Sequence, residues 1–354
     1  MTSAEIQQEQ DSPQQFSFTG TGSEYFGIWI VNILLSIVTL GIYSAWAKVR
    51  RNRYFYSNTH VAQGSFEYHG NAIAILKGRI LAVAFFILYN MAVRSSPRYL
   101  GIMLLVMAVF MPWLVWKSIQ FKLHNSSYRG VRFGFRGSAG QAYFNFLLLP
   151  IVTLFTIYLL APFTHQRIKK FQHTESRYGA SYFSFDGKVG DFYLAYLIGF
   201  GALFAGLIAI GVVLGGGFMA FIAQAKNNQP NPAAISGFFL LIFAVYIWMF
   251  AIFPLFLTLI QNLIWNHTQL GNNHFRSNLK WGKMTFIFIT NIIGVICTLG
   301  LFAPFAHVRL LKYRIESMTL IPGGSVDDFV AVEEQQVTAT GEGVADVFDF
   351  DLSL

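Results

Sequence analysis

Thr39-Leu40-Gly41-Ile42-Tyr43-Ser44-Ala45-Trp46-Ala47-Lys48-Val49-Arg50 ends an apolar block that opens at Tyr25, and its recurrence decides how the chain is read. An apolar stretch meets a glycine break and continues into a basic segment. The same succession returns 117 residues on as Thr156 to Arg167, where Ala161-Pro162 stands at the break, and 259 residues on as Thr298-Leu299-Gly300 to Arg309. The basic positions coincide: Arg50, Arg167 and Arg309, then Arg53, Lys170 and Lys312. Asn32 and Asn291 share a register, with Leu149 at that place in the second copy.

A second pattern, Phe-x-Phe/Tyr-x-Gly, flanks the first. It occurs as Phe16-Ser-Phe18-Thr-Gly20, Phe66-Glu-Tyr68-His-Gly70, Phe133-Gly-Phe135-Arg-Gly137 and Phe183-Ser-Phe185-Asp-Gly187, at spacings of 50, 67 and 50. Aromatic residues alternating with other types read as short strands with one apolar face. Together the patterns divide the chain into a polar segment 1–15, a first unit 16–132, a second 133–274, a truncated third 275–321 and an acidic tail 322–354. Each of the first two units reads as strand, apolar helix, basic helix, hairpin and a pair of long apolar helices. Phe275 survives in the third, without its glycine.

Composition sets the medium. The chain is 54% hydrophobic and 12% charged, against about 25% charged for a soluble domain. The apolar residues sit in blocks, 25–46, 80–93, 99–116, 143–163, 192–225, 235–263 and 284–305. Several exceed the roughly 20 residues a helix needs to cross a hydrocarbon core. The expected fold class is therefore a mainly α integral membrane protein. Its internally repeated units of apolar helices carry short strands and hairpins on the cytoplasmic side. Segment 1–15 has no Lys or Arg, unlike the positive start of a cleaved signal peptide.

The first copy, with Phe16-Ser-Phe-Thr-Gly-Thr-Gly, the run from Asn32 through Thr39 to Ala47, and Arg50-Arg51-Asn52-Arg53-Tyr54, resembles the YjgN family of bacterial inner-membrane proteins. The likeness covers most of the chain except its acidic tail. It implies a multi-pass inner-membrane protein and brings no catalytic or binding residues.

Orientation is read from charge. If the block opening each unit dips into the membrane and returns, only the two long helix pairs span. Then 22 of the 25 Lys and Arg are cytoplasmic, and only Arg94, Arg98 and Lys226 face out. The positive-inside rule favours this over seven spans. The C-terminal tail is then cytoplasmic. It holds eight of the 17 acidic residues and no Lys or Arg, which leaves a net charge of +16 on the preceding 321 residues. Its composition predicts disorder. The basic segments flank apolar blocks, which points to anionic lipid headgroups as partners and away from nucleic acid. Protein partners are not legible.

Chemistry is sparse. The intramembrane blocks hold no Asp or Glu; Glu24 and Asp191 stand at helix starts, where a carboxylate caps free N–H groups. The single cysteine, Cys297, excludes an intrachain disulfide, and the eight histidines lack metal-ligand spacing. No nucleophile elbow, phosphate-binding loop or paired-carboxylate motif is present, so no enzyme activity, cofactor or metal is expected. The candidate anionic lipid or ligand contacts are Arg50, Arg53, Arg167, Lys170, Arg309 and Lys312, facing a common cytoplasmic vestibule. The candidate intramembrane polar and break positions are Asn32, Thr39, Gly41, Asn291, Thr298 and Gly300. Transport or channel-like passage of a small or lipid-like solute is the first functional expectation. A scaffold organising lipids or partner proteins is the second, and a lipid-modifying enzyme the third.

Overall fold

The computed structural model describes residues 12–95, 97–227 and 232–339. β1 (Gln14–Gln15) and β2 (Ser17–Phe18) are one strand interrupted at Phe16. Tight turns then join β3 (Thr59–Val61) to β4 (Gly64–Tyr68), β5 (Ser126–Tyr128) to β6 (Val131–Phe135), β7 (Ser176–Tyr178) to β8 (Ser181–Phe185) and β9 (Thr268–Leu270) to β10 (Asn273–Ser277). β11 (Met318–Ile321) comes last. Every neighbour is antiparallel, β1 pairs with β11 and β2 with β3. The sheet therefore closes on itself as a barrel of ten staves and leaves no open edge.

Between the staves, among the described residues, lie five helix pairs. They are α1 (Gly22–Val38) with α2 (Ser44–Ser57), α3 (Ala72–Ser95) with α4 (Pro97–His124), α5 (Ala139–Phe155) with α6 (Ala161–Thr174), α7 (Val189–Asn227) with α8 (Pro232–Asn266), and α9 (Trp281–Cys297) with α10 (Ala303–Glu316). Each pair joins one strand to its antiparallel neighbour, so all five leave and re-enter at the same end of the barrel. The tight turns lie at the other end. α10 packs on α1, which closes the helices into a ring above the barrel.

Register sets the interior. Phe66 lies beside Tyr128, Phe133 beside Tyr178, Phe183 beside Leu270 and Phe275 beside Leu320. The Ser17–His60 pairing places Phe16 beside Val61. Each hairpin then steps the level by two residues, as Val61 opposite Gly64 and Tyr128 opposite Val131 show. The four hairpin steps and the equal step between β11 and β1 give a shear of ten for ten staves, and closure of that kind tilts the strands by roughly 35–45°. The ten inward residues form an apolar girdle across the barrel. Its phenylalanines make a closed five-membered ring: Phe16–Phe66 6.5 Å, Phe66–Phe133 6.3 Å, Phe133–Phe183 6.4 Å, Phe183–Phe275 6.2 Å and Phe275–Phe16 6.4 Å between centroids. The two tyrosines of the girdle keep their hydroxyls paired, Tyr128 donating to the Val61 carbonyl at 2.7 Å and Tyr178 to the Tyr128 carbonyl at 3.0 Å.

The motif glycine follows from the second aromatic. A Cβ at Gly137 would lie 2.6 Å from the Phe135 ring, and Gly20, Gly70 and Gly187 meet Phe18, Tyr68 and Phe185 in the same way. The ring folds back over its own strand end, and only glycine leaves room for it. In β10 the ring position is Ser277, which is why the fifth copy carries Leu279 where the others carry glycine.

Among the described residues four helices are long and apolar enough to cross a membrane: Ala72–Ser95, Arg98–His124, Val189–Ala223 and Pro232–Asn266. Pro112 and Pro254 sit inside α4 and α8 with their side chains fully buried. The run Gly215-Gly216-Gly217 does not break α7; Gly217 instead lets its backbone touch Gly237 of α8, the small-residue packing used between apolar helices. α1, α5 and α9 are shorter and turn back at left-handed residues: Leu40 and Gly41, Ile157 and Tyr158, Leu299 and Gly300. Glu24 closes a capping box with Thr21 at the start of α1, and Asp191 accepts from the Lys188 N–H at the start of α7.

Part of the acidic tail is ordered. Residues Val326–Ala339 form α11, which lies across the turn end of the barrel. Val326 and Val330 are buried in the girdle core, and Phe329 stacks on Tyr178 at 6.2 Å. Disorder was expected because the tail is too acidic and too poor in apolar residues to fold alone. The spacing of Val326, Phe329 and Val330 makes one apolar helix face, and the barrel supplies the core that the tail lacks. Residues 340–354 lie outside the described residues.

Candidate functional site

A cavity of about 550 Å³ runs along the barrel axis, from α11 through the phenylalanine ring to the helix end. Its walls are the girdle residues. At the helix end Ile119, Lys122 and Leu123 of α4, Lys169, Gln172 and His173 of α6, and Trp265 of α8 complete it. The volume lies within the range that drug-sized ligands occupy.

The two ends differ in charge. At the turn end the Glu333 carboxylate is buried and accepts from the Ala180 N–H at 2.6 Å, the Ser181 N–H at 3.0 Å and the Ser181 hydroxyl. Asp327 pairs with Arg129, in the turn between β5 and β6. At the helix end Lys122 and Lys169 line the cavity, and among the described residues no Asp or Glu does. Lys169 donates to Gln172 Oε1 at 3.2 Å, and burial followed by the nearby Lys122 holds its ammonium below the usual lysine range. His173 touches Thr268 Oγ1 through Nδ1 at 3.2 Å; burial, then Lys169, pushes it down to about 4, so it is neutral near pH 7. The helix end is thus an apolar-walled mouth with two lysines, suited to a carboxylate or phosphate carried on a hydrophobic body.

The sequence-derived basic residues lie elsewhere. Arg50, Arg53, Arg167 and Lys170 are exposed on the outer faces of α2 and α6, with Arg167 over the Phe163 ring at 5.2 Å. Arg309 is half-buried and donates to Thr290 Oγ1 at 2.9 Å and Asn291 Oδ1 at 3.4 Å. Lys312 pairs with Glu316 at 3.7 Å. None lines the axial cavity, where the lining cations are Lys122 and Lys169. On α6 the inward lysine is two residues from Arg167, about 200° around the helix. Spacing fixed the face they share but not the direction it looks.

The break positions are hairpin tips. Thr39 Oγ1 accepts from the Tyr43 N–H at 2.9 Å and Thr298 Oγ1 from the Phe302 N–H at 2.9 Å, each pinning the start of the returning helix. Gly41 and Gly300 take φ of 91° and 95°, a region that favours glycine. Asn291 Nδ2 donates to the Ala306 carbonyl at 3.0 Å across that hairpin. Asn32, its counterpart in α1, is buried, and its Oδ1 has no hydrogen-bond partner. Among the described residues no group of His, Cys, Asp and Glu could hold a metal ion.

Known proteins give a consistent placement. A stretch of 31% identity over 144 residues is shared with the inner membrane protein YjgN of Salmonella typhimurium, covering 40% of this chain and 36% of that protein. The YjgN of Escherichia coli K12 is 33% identical over 151 residues, 42% of this chain and 38% of its own length. These matches span less than half the length of either relative. No solved structure matches. The model of the family described as bacterial protein of unknown function DUF898 covers residues 13–347, and with it the barrel, the five helix pairs and α11. The chain belongs to the DUF898 family of bacterial proteins, as a relative of the inner-membrane protein YjgN.

Proposed function

We propose that this is an inner-membrane conduit or carrier for amphipathic anions, with the barrel as a cytoplasmic vestibule. The observation that carries the reading is the axial cavity, whose apolar girdle ends at Lys122 and Lys169 with no lining carboxylate among the described residues. A hydrophobic constriction such as the phenylalanine ring gates by excluding water, and an apolar solute bearing one anionic group fits both parts. The five strand–helix–helix–strand successions are read as quasi-equivalent units, with the sequence period of 117 spanning two of them.

Helix placement supports the orientation. Both ends of every pair attach to one end of the barrel, so each excursion into the membrane returns to the side it left. In the three short hairpins the tips are the most exposed apolar residues, Leu40 at 94% and Leu299 at 95%, as expected for loops that dip into lipid. With 22 of 25 Lys and Arg on the barrel side, that side is the cytoplasm. The scaffold reading draws on a different observation: α11 lies across the turn end of the barrel and packs on its girdle.

The test is binding and flux of a medium-chain fatty acid with a fluorescent tail, using protein reconstituted in vesicles. Wild type should bind it, and Lys122→Gln with Lys169→Gln should weaken binding about tenfold, the scale of one lost charged contact. Binding that is absent, or indifferent to both lysines, would overturn the reading. Binding without flux in a variant ending at residue 325 would favour the scaffold.

A further inference from the structure

A second cavity, of about 570 Å³, opens on the flank of the helix ring, between the α1–α2 hairpin, α3 and the start of α10. Three cations converge on it: Lys48 and Arg51 of α2 and Arg79 of α3. Among the described residues no Asp or Glu lines it. Arg79 donates to the Ser44 hydroxyl. Burial, then Arg79 and then Arg51, depress the Lys48 ammonium, which shows that the three positive groups act on one another without a compensating carboxylate.

The fold does not require these charges. At the register of Lys48 the other short hairpins carry His165 and His307, and at that of Arg51 they carry Ile168 and Leu310. The opposite wall is apolar, with Trp29, Ile33 and Ile37, and Ile37 is 67% exposed toward the hairpin tip. Asn32 lies in the same lining, 92% buried, with Oδ1 unpartnered. In the third hairpin Arg309 donates to the equivalent Asn291 Oδ1; here the residue in that register is Arg50, on the exposed face. A buried acceptor left unpaired costs about 1–3 kcal/mol, so Asn32 marks a place for an external donor.

We propose that this groove binds a phospholipid whose headgroup joins a phosphodiester to a free hydroxyl, as in phosphatidylglycerol. Lys48, Arg51 and Arg79 hold the phosphate, the headgroup hydroxyl donates to Asn32 Oδ1, and an acyl chain lies along Trp29, Ile33 and Ile37. Arg is suited to this role because its planar fork matches phosphate oxygens. The site is separate from the axial cavity, and failure of one reading leaves the other standing.

Native mass spectrometry of the full chain in micelles doped with phosphatidylglycerol or phosphatidylcholine tests it. Wild type should retain phosphatidylglycerol preferentially. Arg51→Gln with Arg79→Gln should reduce retention by about tenfold or more, while Arg50→Gln with Lys170→Gln, exposed cations outside the groove, should not. Asn32→Leu, the residue of the second hairpin, should narrow the preference for phosphatidylglycerol over phosphatidylcholine. Circular dichroism and gel filtration would verify that each variant folds; if the double Gln variant misfolds, Arg51→Lys with Arg79→Lys should give a partial loss in its place. Undiminished retention by the folded double variant would overturn the proposal. So would displacement of the lipid by millimolar glycerol phosphate, which would make this a site for a soluble phosphate.

Discussion

The two ends of the barrel are built from the same ten staves and differ in almost everything else. At the turn end the strands close through short turns, and one helix covers them. The buried Glu333 carboxylate there meets three donors from one turn. At the helix end the aromatic rings of Phe18, Tyr68, Phe135 and Phe185 splay under the helix starts, each over a glycine, and lysines face the cavity without a counter-charge. One end is satisfied and the other is not. A closed structural element satisfies its own polar groups, whereas a binding mouth leaves charge for its ligand. The comparison assigns stability to the turn end and recognition to the helix end.

The sharpest way to break that assignment is Glu333→Ala. It removes a buried acceptor and leaves the Ala180 N–H, the Ser181 N–H and the Ser181 hydroxyl facing an apolar helix. Hydrogen bonds to a charged group contribute about 1.5–3 kcal/mol each, and three in one cluster are less than additive. A loss of about 3–5 kcal/mol in the docking of α11 is expected. Hydrogen exchange should show protection lost across residues 326–339 while the girdle strands stay protected. If α11 remains as protected as in wild type, Val326, Phe329 and Val330 hold it alone, and the carboxylate does not distinguish this end.

A smaller effect is expected from Gly137→Ala at the helix end. The new methyl would meet the Phe135 ring at 2.6 Å and Phe171 at 2.7 Å. Overpacking of this kind costs about 1–3 kcal/mol, read as a lower melting temperature in detergent. Gly140→Ala is the control, since a Cβ there meets nothing within 4 Å. Equal melting temperatures for the two variants would show that Phe135 rotates freely, and that the folded-back ring does not define this end.

The motif that carries this ring was also the most legible part of the sequence. Phe-x-Phe/Tyr-x-Gly marked four of the five strands that carry the phenylalanine ring, because a pleated strand with one buried face forces aromatic alternation and the folded-back ring forces glycine. The fifth, with Ser277 and Leu279, escaped for the same reason: without the ring there is no glycine to see. Five-fold closure was hidden by unequal helix lengths. Short pairs such as residues 22–57 alternate with long ones such as 72–124 and 189–266, so the sequence pattern recurs at 117 residues, over two pairs, and not at each single pair. The axial lysines were illegible because an amphipathic pattern gives a helix face but not what that face looks upon. Arg167 and Lys170 drew attention as an i, i+3 pair, while Lys169 between them faces the axis. The helix of the tail was masked by its acidity, since the core it joins belongs to the rest of the chain.

The mildest test uses pH at the lysine mouth. His173 titrates at about 4 in the folded protein against 6.5 for an unhindered histidine, through burial and then Lys169. Between those values the unfolded chain binds a proton that the folded chain refuses, so stability rises with pH. The contribution is fully present above about pH 6.5 and is lost as pH falls toward 4. A shift of this size corresponds to at most about 3 kcal/mol, and less with water reaching the mouth. His165, also depressed to about 4 by burial and then Lys169, adds to the same slope from the α7 side of α6, where its Nδ1 lies 3.2 Å from the Tyr196 hydroxyl. His173→Gln should keep the contact with Thr268 and flatten the fall in melting temperature between pH 6.5 and 4, leaving the share due to His165. An occupied mouth sharpens the outcome: an anion held by Lys122 and Lys169 offsets the positive charge beside His173 and eases its protonation, so saturating fatty acid should shrink the wild-type slope and leave that of His173→Gln nearly unchanged. A slope insensitive to the ligand would mean that the anion does not reach the lysines, and the helix end would lose its claim to recognition.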